Sequence, residues 1–161
     1  MNLPNRITIA RLILTVVIIV MLMIPYSFLG INVPTYDVNG VKVELTYIIA
    51  GVIFIIASLT DFLDGYLARK YNLVTDLGKV MDAIADKILV NGVLILLATS
   101  GHISPIVPVV IVSRDIAVDS IKMVAGQKNG AVAASKAGKF KTAFMLVGIT
   151  LLFFYDLPFA L

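Results

Sequence analysis

Five apolar stretches, at residues 7–29, 46–67, 78–99, 103–125 and 136–155, constrain this chain more than any other feature of its sequence. Each holds 20 to 23 residues. At about 1.5 Å of rise per residue, a helix of that length covers a hydrocarbon core of about 30 Å. The composition agrees: 60% of the 161 residues are apolar and 14% are charged, against about half and about a quarter in a soluble domain. The expectation is an all-α, polytopic membrane helix bundle with five spans in this chain. Five spans leave "FFYDLPFAL" without a polar tail on the side opposite the N-terminus, so the full protein is expected to carry a sixth.

The connections are punctuated by Pro25, Gly30, Pro34, Gly40, Gly101, Pro105, Gly126 and Gly130. No internal repeat or low-complexity tract interrupts the pattern, and residues 1–161 read as a single membrane domain. The start, "MNLPNRITIARLILTVVIIVMLMI", has no small-residue cleavage site and reads as a retained span rather than a leader. Basic residues favour the cytoplasmic side. Arg6 and Arg11 flank the start, Arg69, Lys70 and Lys79 follow the second stretch, and Arg114, Lys122, Lys128, Lys136, Lys139 and Lys141 surround the connection of the last two. That distribution turns the N-terminus and the aspartate-rich region toward the cytoplasm, in what is expected to be a bacterial cytoplasmic membrane.

Several chemistries are excluded at once. With no cysteine there is no disulfide, thiolate nucleophile or thiolate metal site. The single histidine, His102, lies in the uncharged connection "SGHISP" and reads as structural. No G-x-x-x-x-G-K-[ST] loop is present, which argues against ATP use. The basic residues hug the ends of apolar stretches without interleaved aromatics, so no nucleic-acid surface is expected.

This apolar chain nevertheless contains "TDFLDGYLARKYNLVTDLGKVMDAIADK", residues 60–87, with five aspartates. Asp61 and Asp64 are three apart and Asp82 and Asp86 four apart, so each pair shares a helical face. Asp76 reads as a solvated loop charge. Counted from the far ends of their stretches, Asp61 and Asp86 both lie about 20 Å deep, and Asp64 and Asp82 about 25 Å. If the two helices are antiparallel neighbours, the four carboxylates meet. Four clustered carboxylates repel one another and need compensation. Divalent cations on all-oxygen ligands supply it, and two such ions make a clamp suited to phosphoryl transfer. Gly65, Ala68 and Gly78 either leave room for a ligand near the backbone or let helices pack closely. Arg69 either neutralises a diphosphate or marks the cytoplasmic side.

As a pattern, residues 61–86 read D-x2-D-G-x2-A-R-x8-G-x3-D-x3-D, with Asp61, Asp64, Gly65, Ala68, Arg69, Gly78, Asp82 and Asp86 at the fixed positions. This resembles the signature of the CDP-alcohol phosphatidyltransferases. "NLPNRITIAR" near the start, "SRD" at 113–115 and "AASKAGKFKT" at 133–142 are similar to the branch of that family that uses a glycerol 3-phosphate acceptor. The resemblance implies six spans, a homodimer, and phosphatidyl transfer from CDP-diacylglycerol to sn-glycerol 3-phosphate, giving phosphatidylglycerophosphate and CMP. It also implies two divalent cations, Mg²⁺ or Mn²⁺, held by Asp61, Asp64 and Asp82 with Asp86 beside them. Asp86 is then the base that takes the hydroxyl proton. Asn5, Thr8, Gly65, Ala68, Arg69 and Gly78 line the CDP-lipid pocket. For the dianionic phosphate of the acceptor the candidates are Arg114, Lys136, Lys139 and Lys141; the same residues would also suit anionic lipid headgroups.

Rival readings keep the same cluster. Inositol phosphate, serine or phosphatidylglycerol could serve as acceptor on an identical metal site. An aspartate-rich prenyltransferase needs a second such motif and a longer bundle, and a cation transporter would place its carboxylates at the midplane.

Overall fold

The computed structural model describes residues 3–26, 28–38, 41–70, 76–129 and 136–154. Within these, side chains are described except at 3–6, 38, 41, 61–70, 76, 77, 79, 125–129 and 136–140. Five helices are present: α1 (Leu3–Met23), α2 (Leu45–Lys70), α3 (Asp76–Thr99), α4 (Ile106–Asn129) and α5 (Lys136–Phe153). Between α1 and α2 lie two short strands, β1 (Thr35–Val38) and β2 (Val41–Glu44), paired antiparallel with Thr35 opposite Glu44 and Tyr36 opposite Val43.

Local chemistry accounts for the boundaries. Pro25 follows α1 by two residues and cannot extend its hydrogen-bond ladder. After α3 the chain turns at Gly101, whose φ of 82° suits a residue without a Cβ. Pro105 precedes α4, and the Ile106 amide donates to Ser104 Oγ at 3.4 Å. Val107 N–H donates to Ser104 C=O at 3.0 Å in the same turn.

α1 is the central element, packed against both α2 and α3, while α5 sits on α2 and α3 and α4 on α3. The buried core draws on four of the helices, at three- and four-residue spacing where a helix gives several residues: Ile18 on α1, Ala50, Phe54 and Ala57 on α2, Leu89, Val93 and Leu97 on α3, and Ile149 and Phe153 on α5. Fully burying each large side chain contributes about 1.5–3 kcal/mol. The Phe54 and Phe153 rings meet at a centroid distance of 5.6 Å. α5 can come this close because Gly51 has no side chain: a Cβ there would lie 2.9 Å from Phe153 Cβ.

The helical class is as expected, but the membrane-spanning expectation is overturned. Among the described residues, no helix is long and apolar enough to cross a membrane. Charges and helix ends shorten the apolar stretches that the sequence shows. Arg11 leaves α1 uncharged only over 12–23, and α3 and α5 are uncharged only over 88–99 and 142–153. α4 carries Arg114, Asp115, Asp119 and Lys122. The longest uncharged run, residues 45–60 of α2, spans about 24 Å at the helical rise. Apolar segments of this order are commonly core helices. The orientation drawn from basic residues and the inference of a sixth span lose their basis with it. The outer faces nevertheless stay apolar, with Val16 and Val20, Val52 and Ile56, Ile88 and Ile95, and Val109 and Ile116 all exposed.

At the hairpin end, Met21, Tyr26, Glu44 and Tyr47 help to line a cavity of about 340 Å³. His102 packs beside it on Tyr47, ring centroids 4.4 Å apart. This is the far end of α1 and α3 from the aspartates.

Candidate active site

The stripes that form the core turn polar at one end. On α3 the half-buried Asp86 and Asp82 stand one and two turns ahead of the buried Leu89. On α1 the buried face runs Thr8, Arg11, Thr15, Ile18, at spacings of three and four residues. Arg11 is only 1% exposed. Its Nη1 donates to Asp82 Oδ1 at 2.7 Å, joining α1 to α3 across 71 residues of sequence. A buried guanidinium is tolerable only with such a partner. Thr15 Oγ1 donates back to the Arg11 carbonyl at 2.8 Å, which satisfies that hydroxyl inside the helix.

A second charged group joins α4 to α5. Lys141 Nζ donates to Asp115 Oδ1 at 2.5 Å and to Oδ2 at 2.6 Å, and Arg114 Nη1 donates to Asp115 Oδ1 at 3.0 Å. Lys87 pairs with Asp119, tying α3 to α4. The charges of Lys141 and Asp115 both act on Asp86.

The two carboxylates respond oppositely to these surroundings. Burial pushes Asp86 above the usual carboxylate range; the Arg11 and Lys141 charges oppose this, while Asp82 and Asp115 add to it. Burial also raises Asp115, but its hydrogen bonds from Lys141 and Arg114 outweigh that and hold it below the usual value.

Of the expected set, Asp82 is bonded to Arg11, Asp86 stands one turn further along α3, and Arg114 and Lys141 are both bonded to Asp115. Thr8 lies on the buried face of α1 one turn before Arg11, and Gly78 is half-buried in the first turn of α3. Asp61, Asp64, Gly65, Ala68 and Arg69 occupy the last turns of α2, Asn5 the first turn of α1, and Lys136 and Lys139 the first turn of α5. Their side chains lie outside the described residues. So does that of Asp76, which begins α3 rather than standing in a loop. Arg11 and Asp115 were not expected here. Arg11 carries a signal that sequence can show: Thr8, Arg11 and Thr15 fall on one face of an otherwise apolar helix. Direct α2–α3 packing was the premise for the meeting of the aspartates. In the described packing, the contacts of α1 with each of them dominate instead.

Among the described residues, no three His, Asp or Glu side chains come close enough to hold a metal ion. Asp61 and Asp64 stand outside that description. The donor chemistry of the set fits a hard divalent cation: every side chain in it is a carboxylate, and Asp82 and Asp86 are one turn apart on a single face.

A helical bundle carrying two carboxylates one turn apart on a single face, with paired cations on neighbouring helices, is suited to handling phosphorylated compounds. Comparison with known proteins makes the class specific. The CDP-alcohol phosphatidyltransferase family matches residues 1–161, and the chain belongs to that family. It is a transferase. Among its relatives is a CDP-diacylglycerol--glycerol-3-phosphate 3-phosphatidyltransferase of Bacillus subtilis (strain 168), 36% identical over 99% of this chain and 80% of the relative. Proteins of the same name in Mycoplasma pneumoniae and Rickettsia bellii are each 36% identical, over 92% and 94% of this chain and 66% and 74% of their own lengths.

Proposed function

We infer that this enzyme transfers a phosphatidyl group from CDP-diacylglycerol to sn-glycerol 3-phosphate, yielding phosphatidylglycerophosphate and CMP. The 1-hydroxyl oxygen of the acceptor bonds to the lipid-side phosphorus, and the bond from that phosphorus to the CMP oxygen breaks. The hydroxyl proton passes to the Asp86 carboxylate. Its half-buried position, which raises its affinity for a proton, suits a general base. Asp61, Asp64, Asp82 and Asp86 would hold two divalent cations, Mg²⁺ or Mn²⁺, which neutralise the diphosphate when bound. Asn5, Thr8, Gly65, Ala68, Arg69 and Gly78 form the proposed CDP-lipid pocket.

The observation that carries this reading is the Lys141–Asp115 pair, whose two charges both act on Asp86. A phosphorylated acceptor held by Lys141 and Arg114 has its hydroxyl end directed to the carboxylates. Lys136 and Lys139, on the same end of α5, are proposed to add to that site. Serine has no phosphate for these cations, which favours a phosphorylated acceptor. The donor is a diacyl lipid, so the enzyme is proposed to work at a bacterial cytoplasmic membrane. A homodimer is proposed from the family resemblance, with light scattering of the purified protein as its check.

The test is CMP release from CDP-diacylglycerol with Mg²⁺ or Mn²⁺, comparing sn-glycerol 3-phosphate, inositol phosphate, serine and phosphatidylglycerol as acceptors. Release that depends on glycerol 3-phosphate supports the reading. Release with a different acceptor alone would overturn the substrate, and release with none would overturn the reaction.

A further inference from the structure

Arg11 has no part in the reaction as proposed, yet it is a fully buried cation bonded to one of the carboxylates. We propose that Arg11 is a positioning residue for the metal centre, holding Asp82 by Oδ1 so that Oδ2 is the oxygen presented to a divalent cation. This rests on the metal reading above and deepens it.

Three observations point this way. The guanidinium is 1% exposed and its Nη1 lies 2.7 Å from Asp82 Oδ1, so its bond is protected from water and from competing ions. Asp82 itself is more open, its side chain 38% exposed, so a ligand can reach the carboxylate that Arg11 bonds through Oδ1. Arg11 is in turn fixed along α1, where Thr8 and Thr15 share its buried face and Thr15 bonds its carbonyl. A carboxylate left to rotate offers a cation either oxygen in many geometries, whereas one pinned by a second hydrogen bond offers one. Removing partners of this kind typically weakens metal binding roughly 10–100-fold. The opposing effect is that a fixed positive charge near the site repels a cation. The bond geometry favours orientation over repulsion, because the charge is already neutralised by Asp82 at contact distance.

Mn²⁺ binding decides the matter without substrate or turnover. Unbound Mn²⁺ is measured by electron paramagnetic resonance during titration of the full chain, alongside Arg11→Gln and Arg11→Lys. The expected result is weakening of roughly tenfold or more in Arg11→Gln and a smaller loss in Arg11→Lys, which keeps the charge but not the planar fork. Thermal melts report whether each variant is folded. If Arg11→Gln does not fold, Arg11→Lys carries the test: weakening of several-fold supports the proposal, and unchanged affinity overturns it. A folded Arg11→Gln that binds Mn²⁺ as well as the unaltered chain would make Arg11 purely structural. Tighter binding would make it a competing cation. Absence of Mn²⁺ binding by the unaltered chain would instead bring down the metal reading itself, and this proposal with it.

Discussion

At Asp115 two cations meet one carboxylate, and the balance of charge there makes a direct prediction for acceptor binding. Lys141→Met removes the donor that sits closest to it and is expected to raise KM for glycerol 3-phosphate roughly ten- to a hundredfold, the weight of one charge-assisted hydrogen bond. KM for CDP-diacylglycerol should stay nearly constant, and steady-state kinetics with each substrate varied in turn checks the contrast. The pH dependence of the same pair follows from its sign. The folded-state pKa of Asp115 lies below its ordinary value, so its stabilising contribution is complete above about pH 3.9. It is lost as pH falls through the lower, folded value. Asp86 has the opposite sign: burial raises its pKa, so its ionised form opposes folding at neutral pH. Asp86→Asn should therefore raise the melting temperature of the metal-free protein at pH 7 to 8 while removing activity, a trade of stability for function at one side chain. A lower melting temperature in calorimetry would contradict that.

At the level of elements, close approach is set by single residues. Gly51 admits the backbone end of the Phe153 side chain, so Gly51→Ala puts a methyl into contact too short to hold, with Phe154 Cε2 also only 3.3 Å away. Such overpacking costs about 1–3 kcal/mol, which outweighs the gain of up to about 1 kcal/mol from better helix propensity. A Phe153→Ala change, which empties the same contact, is expected to cost about 3–5 kcal/mol. Denaturant melts of both variants test whether α5 is seated by this pair. Gly101 differs in kind: open space surrounds it, and only its φ of 82° resists substitution. The strand pair shows how an element can be overlooked in sequence. Thr35–Val38 and Val41–Glu44 flank an Asn-Gly dipeptide, a strong hairpin signal. Between two long apolar stretches it read only as a punctuated connection.

Across the whole molecule, what was legible in sequence follows from what repeats locally. The five helices show because apolar residues recur along them. The Asp82–Asp86 face shows because spacing alone fixes it. The lengths of the apolar stretches misled, since they ran across helix ends and across charges such as Arg11, whose burial depends on a tertiary partner. Asp82 lies 71 residues from Arg11, and no local pattern announces that bond. The same limit applies to Asp115, whose value depends on Lys141 arriving from another helix. The central claim is that these converging helix ends make a carboxylate site for phosphatidyl transfer. Its most direct test is CMP release from CDP-diacylglycerol with glycerol 3-phosphate, by the unaltered chain and by Asp86→Asn, each with Mg²⁺ or Mn²⁺ and again after chelation. The account predicts release that disappears both on chelation and in a folded Asp86→Asn. Release that persists in that variant, or survives removal of divalent ions, would contradict it.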